Sequence, residues 1–195
     1  MANPFSNTKL ATSKSDFLDV VNVLPERYRE LVKQGAVRLV DRSFYSVKAL
    51  ENSTTKELMA ASDTQKVGIT NVNNRKMEAS QYFLLKGIRI QTANIAGADE
   101  ITDAKLAAAD FTGALNTDVA NGDLEISVAG KTAFPRNAVS MFETTENVKG
   151  YIELDCPRLI APQSEIIPVL HLAKAAGDGR VAVRITLVGT AMISA

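Results

Sequence analysis

The residues best suited to chemistry are His171 and Cys156, since each is the only one of its type in the 195-residue chain. One cysteine cannot form an internal disulfide, and one histidine with one cysteine is too small a set for a His/Cys zinc site. His171 lies in an apolar stretch that alternates like a strand, and the nearby Ser164 and Glu165 belong to the turn before it. Cys156 follows Leu154 in strand register. We therefore expect His171 to be structural and Cys156 to be a buried small hydrophobe.

Acidic side chains gather in two places. Asp99, Glu100 and Asp103 begin an alanine-rich segment, where they suit the positive end of a helix dipole. The second group is the loop at 118–123, DVANGD. A calcium loop alternates oxygen ligands around a glycine turn and ends in a bidentate acid. The first group lacks that spacing, and the loop fits a hairpin connection better than a calcium site. No catalytic, cofactor-binding or metal site is predicted, and the chain is not expected to be an enzyme.

The charge balance is neutral, because 22 Lys and Arg residues match 22 Asp and Glu residues. A nucleic-acid binder normally carries a basic excess, so no specific nucleic-acid site is predicted. The basic residues near the N-terminus interleave with acids and are expected to form a solvated face, which is also the best place to contact an acidic surface. They are Arg27, Arg29, Lys33, Arg38 and Arg42.

The glycines and the apolar runs exclude other classes. Gly177-Asp178-Gly179 lacks the lysine and the following helix of a phosphate-binding loop. No apolar run reaches the roughly 18 residues of a membrane span. The first residues have no apolar core typical of a secretory signal, so we expect synthesis in the cytoplasm.

The elements that would position these side chains are mostly strands. Residues 154–195 alternate in two runs around the Gly-Asp-Gly turn, which predicts a long closing antiparallel hairpin with one buried face. The alternating residues are Val169, His171 and Ala173 before the turn, and Val181, Val183, Ile185 and Leu187 after it. A strand is predicted over 82–92, and Gly87 inside it indicates a bulge or a close backbone approach. Capping residues predict a short helix over 25–34, and alanine-rich composition predicts a helical insertion at about 98–110. A short strand is predicted near 139–142, after a loop at 134–137.

About eight strands that do not alternate regularly with helices predict an all-β fold, a single jelly-roll-like antiparallel sandwich. The polar residues 1–14 have no periodicity and are predicted to form a flexible arm. The sandwich domain is predicted to span residues 15–195.

The chain resembles viral jelly-roll proteins that build the capsids of tailless icosahedral bacteriophages. The resemblance rests on the polar arm, on YFLLKGIRI at 82–90, on NGDLEISVAGKTAFP at 121–135 and on the closing VAVRITLVGTAMI. It implies a virion protein, made in the host cytoplasm, that self-assembles through many copies. Arms and inter-strand loops would make the contacts, with other virion proteins as further partners.

The alternative is a ligand-binding or carbohydrate-binding β-sandwich module. Sugar-binding sandwiches usually present aromatic platforms, and this chain has 6% aromatic residues and no tryptophan. An enzyme in a cupin-like barrel would need several histidine ligands. The expected function is therefore structural.

Overall fold

The computed structural model describes residues 21–22, 24–97, 100–143, 150–176 and 179–194. The predicted arm at 1–14 lies outside these ranges. The strands are β1 Val37–Ala49, β2 Thr55–Glu57, β3 Tyr82–Asn94, β4 Asp123–Val128, β5 Lys131–Ala138, β6 Tyr151–Ile160, β7 Ile166–His171 and β8 Val181–Ser194. The helices are α1 Glu26–Lys33, α2 Asp103–Ala107, α3 Thr117–Ala120 and a 3-10 turn at Val139–Phe142.

The strands form two four-stranded antiparallel sheets, so the fold is an all-β sandwich. The first sheet has the order β1-β8-β3-β6 and the second sheet has the order β2-β7-β4-β5. The pairs β1–β8, β2–β7, β3–β6 and β4–β5 are nested, which is the result of folding one long hairpin over into two sheets. This nesting is the strand order of an eight-stranded jelly roll.

The predicted closing hairpin is wrong. β7 pairs with β2 and β4 in the second sheet, whereas β8 pairs with β1 and β3 in the first sheet. The connection after β7 therefore crosses between the two sheets. Alternation indicates where a strand lies and which side chains share a face, but it does not indicate which strand is the partner.

The main core lies between the sheets. Its contribution from β8 is the predicted set Val181, Val183, Ile185 and Leu187, all of which are buried. In β7 the prediction had chosen the wrong face. The buried positions are 166, 168 and 170, while Val169 and His171 lie on the outer face. A shift of one residue along a strand exchanges its two faces. Because β7 has apolar residues at both odd and even positions, its sequence does not indicate which face is buried.

Helix α1 occupies the predicted place and ends in a Schellman motif. The N–H of Ala36 donates to the carbonyl of Leu31, and the N–H of Gly35 donates to that of Val32. Gly35 adopts a φ of +72°, which glycine reaches without strain. The helix lies by the N-terminal end of β3, where the rings of Tyr28 and Tyr82 are 4.4 Å apart.

Three other local predictions differ from the structure. The helix in the predicted insertion is short: α2 spans Asp103–Ala107 and is capped by Thr102. The strand predicted near 139–142 is a 3-10 turn. The loop predicted at 134–137 belongs to β5, which pairs only with β4 and is an edge strand that tolerates Pro135.

Candidate ligand-binding face

His171 is the last residue of β7 and is partly exposed on the outer face of the second sheet. Its cross-strand neighbours are Thr55 and Asp123. The carboxylate of Asp123 accepts a hydrogen bond from Arg136 Nε at 2.9 Å. The neighbouring acid is therefore held by an arginine, and the structure does not bring His171 together with Cys156.

Cys156 is exposed, so the prediction that it is buried is wrong. The β3–β6 ladder pairs Leu85 with Arg158 and then Gly87 with Glu153. Residues 154–157 therefore form a bulge within β6: they have no partners in this ladder and lie opposite residue 86 alone. The strand register that predicted burial does not continue through this irregularity.

Three acids of the two predicted groups, Asp103, Asp118 and Asp123, have cationic partners. Asp103 pairs with Lys66 at 2.5 Å, and Glu100 is exposed. Asp118, in α3, pairs with Lys174 at 3.1 Å. Asp99 lies outside the described residues. Within the described ranges, no three or more His, Cys, Asp or Glu side chains come together as a metal site would require. The 118–123 segment is a helical turn leading into β4 rather than the hairpin connection that was predicted.

Two cations of the basic stretch pair with neighbouring acids. Lys33 pairs with Glu30 at 2.9 Å along α1. Arg42 pairs with Glu78 at 3.0 Å and lies 5.1 Å from the ring centroid of Phe44. These two cations are therefore less available to an acidic partner than the composition of the stretch suggested.

Two pockets lie near the first sheet. One has a volume of about 230 Å³ and is lined mainly by polar side chains, among them Asn71 and Asn73. The amide oxygens of these two asparagines accept backbone N–H groups, of Tyr45 and Gln65 respectively, at 2.7 Å. The second pocket, about 190 Å³, contains Asp110, and hydrogen bonds from Thr112 lower the pKa of that carboxyl. The side-chain oxygens of Asn71, Asn73 and Asp110 thus already accept hydrogen bonds from the protein.

A different cluster, unmarked in the sequence, lies on the outer face of the first sheet. The ladder places Tyr45, Thr186, Arg89 and Tyr151 in one row across β1, β8, β3 and β6. Arg184 belongs to the next row, opposite Gln91. We call Tyr45, Arg89, Tyr151, Arg184 and Thr186 the arginine–tyrosine face. All five side chains are partly exposed.

Each arginine of this face is stacked against a tyrosine. The guanidinium carbon of Arg184 is 4.7 Å from the ring centroid of Tyr45, and that of Arg89 is 5.8 Å from the ring centroid of Tyr151. Both distances are within the range of cation–π attraction. The N–H of Gly68 donates to the Tyr45 hydroxyl at 3.3 Å, which helps to fix the first ring. The two guanidinium groups are therefore held in position.

The two positive charges of this face have no acidic partner in the described part of the chain. The Nε atoms of Arg89 and Arg184 are buried and have no hydrogen-bond partner, and neither guanidinium forms an ion pair within the described part of the chain. Glu153 lies opposite Gly87, beside this row. Burial raises the pKa of the Tyr151 hydroxyl, the charge of Glu153 raises it further, and Arg89 lowers it.

Sequence reasoning missed this face because its residues come from four strands. Alternation alone places Arg89 and Arg184 on the wetter side of their strands. Only the order β1-β8-β3-β6 brings them beside each other and beside the two tyrosines.

The comparisons with known proteins add little. No protein-family model and no curated protein matches the chain. A solved family 35 carbohydrate binding module from Clostridium thermocellum is 13% identical, with 81% of this chain and 99% of that chain covered and a TM-score of 0.28. A TM-score this low supports no inference about fold or function. In the described part of the chain, no helix is long and apolar enough to cross a membrane.

Proposed function

We propose that this chain is a structural protein of a virus particle, which assembles through contacts between its own copies. The strand order carries the proposal: the nested β1–β8, β2–β7, β3–β6 and β4–β5 pairs make a jelly roll, an architecture used by viral capsid proteins. Other virion proteins would be further partners. The particle would be its final location, after synthesis in the host cytoplasm.

The surface offers features suited to subunit contacts. Val67 is 96% exposed at a loop tip, although it is a large apolar residue. The 154–157 bulge lies in β6, an edge strand of the first sheet. An exposed edge is a natural place for another chain to dock.

The carbohydrate-binding alternative has less support. Every aromatic side chain in the described ranges is buried or only partly exposed. The two tyrosines on the outer face of the first sheet, Tyr45 and Tyr151, are stacked with arginines. An aromatic platform for a sugar ring needs an open ring face.

Size-exclusion chromatography with light scattering over a concentration series of the full chain tests the proposal. We expect oligomers or shells whose mass grows with concentration. Val67→Asp should reduce assembly without changing the melting temperature. Ser80→Asp adds the same charge at an exposed polar residue and serves as the matched control. A chain that stays monomeric throughout contradicts the proposal, and binding to a sugar array by that monomer would favour the alternative.

A further inference from the structure

We propose that the larger of the two pockets, with a volume of about 230 Å³, binds a small neutral ring that carries several hydroxyl groups, as a hexose does. The inference does not depend on the assembly proposal, because it concerns a cavity within one chain. It rests on four observations: the apolar floor of the pocket, the amide groups around that floor, the balanced charge, and the backbone conformation of the wall. Such a pocket would hold a sugar without the open aromatic ring that a platform requires.

The pocket combines an apolar floor with amide side chains. Its floor is the buried part of the lining, Phe44, Val72 and Met77. Most of the remaining lining residues are asparagines and glutamines, namely Gln65, Asn71, Asn73, Asn74 and Gln163. A side-chain amide offers both donors and an acceptor, as a hydroxyl group does. A sugar ring has C–H groups on its faces and hydroxyls at its rim, so it can contact both kinds of surface.

Two of these amides are held through one atom and leave the other atom for a ligand. The Oδ1 of Asn73 accepts the N–H of Gln65 at 2.7 Å, and the Nε2 of Gln163 donates to the carbonyl of Met77 at 3.2 Å. The Nδ2 of Asn73 and the Oε1 of Gln163 have no hydrogen-bond partner among the described residues. The pocket therefore offers a fixed donor and a fixed acceptor, and binding would cost less rotamer entropy than it would with free side chains.

The charges of the pocket are balanced, which favours a neutral ligand. Its two charged lining residues are Lys76 and Glu78. The Nζ of Lys76 is 3.4 Å from the carboxylate of Glu165, and Glu78 accepts a hydrogen bond from Arg42 at 3.0 Å. An ionic ligand would have to compete with these pairs. A nucleobase would need a ring face on which to stack, and Phe44 is only 3% exposed.

The wall of the pocket holds its backbone in a costly conformation. Asn74, Arg75 and Gln163 have φ angles of +49°, +50° and +59°, and they are three of the five left-handed non-glycine residues in the described ranges. Such angles are tolerated by asparagine and are uncommon for arginine and glutamine. The N–H of Ile166 donates to the carbonyl of Arg75 at 2.8 Å and so joins the two segments of the wall. Strained backbone of this kind is concentrated at functional sites.

Saturation-transfer difference magnetic resonance of the full chain tests the site, because the method observes the ligand and works on monomers and on large assemblies alike. The probes are D-glucose, D-galactose and D-mannose, each titrated separately. We expect saturable binding of at least one of them, unchanged by added sodium chloride, since an uncharged ligand is not screened by salt. The methyl glycoside of that sugar separates two sources. Equal or tighter binding indicates the terminal sugar of a glycan, and loss of binding indicates a free sugar.

Two variants and a matched control connect binding to the pocket. Asn73→Asp keeps the oxygen that accepts the Gln65 N–H but removes the free donor. It should weaken binding at least about fivefold, the effect of one lost hydrogen bond. Gln163→Met removes the free acceptor and should have a similar effect. Asn52→Asp makes the same change at an exposed asparagine outside the pocket and should leave binding unchanged.

The outcomes can overturn the site whatever the assembly state of the chain. It is overturned if none of the three sugars binds saturably, or if both pocket variants bind as tightly as the parent chain. Equal weakening in Asn52→Asp would also overturn it, because the effect would then not belong to the pocket. Melting temperatures show which variants are folded, and if one pocket variant fails to fold, the other decides. Oligomers that bind none of the sugars would leave the assembly proposal intact and remove this one.

Discussion

Gly87 leaves the space that the ring of Tyr151 fills on the outer face of the first sheet. A Cβ atom at position 87 would overlap the ring and the hydroxyl oxygen of Tyr151. The register of β3 shifts between Leu85 and Gly87 against both neighbouring strands, so the glycine also lies at a β-bulge. The bulge predicted for this glycine is confirmed, while the group that comes close to it is a side-chain ring and not another backbone segment. The position of Tyr151, and through it that of Arg89, depends on the missing side chain.

Gly87→Ala should therefore destabilise the fold. We expect a loss of about 1–3 kcal/mol in the free energy of unfolding, the usual cost of forcing an extra methyl group into a packed site. Urea denaturation measures it. Gly113→Ala is the control, since a Cβ there would meet no atom within 4 Å. If Gly87→Ala costs no more than this control, the ring does not depend on the glycine.

A second substitution tests whether the cost comes from the ring. Tyr151→Ala in the Gly87→Ala background should recover part of the loss, because the overlapping ring is gone. A coupling energy of about 0.5–3 kcal/mol in the double-mutant cycle is the range for residues in contact. If the effects of the two substitutions on the free energy of unfolding simply add, the cost of Gly87→Ala does not come from overlap with the Tyr151 ring.

Several features that depend on a single element were predicted from the sequence, whereas those that depend on strand pairing were missed. The buried face of β8 and the position of α1 follow from alternation and capping, which are local. The partner of β7, the exposure of Cys156 and the arginine–tyrosine face depend on the order of strands and on one irregular ladder. These features arise from contacts between distant parts of the chain, so they cannot be predicted from the pattern within one strand.

Ser46→Ala should leave stability unchanged or raise it. Ser46 is 0% exposed, and its Oγ has no hydrogen-bond partner in the structure. A buried hydroxyl without a partner is costly, so its removal should stabilise the fold by up to about 1 kcal/mol. Thermal and urea unfolding measure the change.

Thr70→Val is the contrasting change. The Thr70 hydroxyl donates to the carbonyl of Tyr45 at 3.0 Å and accepts from the N–H of Val72 at 3.2 Å. Its loss should destabilise the fold by about 1–2 kcal/mol, since buried backbone groups lose a partner. If Ser46→Ala costs as much as Thr70→Val, the Ser46 hydroxyl has a partner after all.

Cys156 should react as an exposed thiol. In the native protein we expect a disulfide reagent to modify it at a rate close to that of the urea-unfolded chain, because Cys156 is exposed in the 154–157 bulge of an edge strand. Cys156→Ser should change stability by no more than about 0.5 kcal/mol, as exposed substitutions usually do. Protection that disappears on dilution would instead indicate that an oligomer covers the loop. Protection at every concentration would contradict the exposed position.

The ionisation of Tyr151 should respond in opposite directions to its two charged neighbours. Burial, and then Glu153, raise the pKa of its hydroxyl, while Arg89 lowers it. Glu153→Gln should therefore lower the pKa of Tyr151, and Arg89→Gln should raise it. Magnetic resonance titration of ¹³C-labelled tyrosine measures both shifts, with Tyr151→Phe to assign the signal.

The raised pKa also sets the sign of a stability change. The folded state holds the Tyr151 proton more tightly than the unfolded state, whose tyrosine pKa is about 10. The resulting stabilisation is fully present below the unfolded pKa and is lost as pH rises through the folded pKa. Urea unfolding at a series of pH values from neutral to alkaline should show a smaller alkaline loss in Tyr151→Phe than in the parent chain. Parallel curves for the two proteins would mean that the pKa of Tyr151 is the same in the folded and the unfolded chain. That result would contradict the raised pKa.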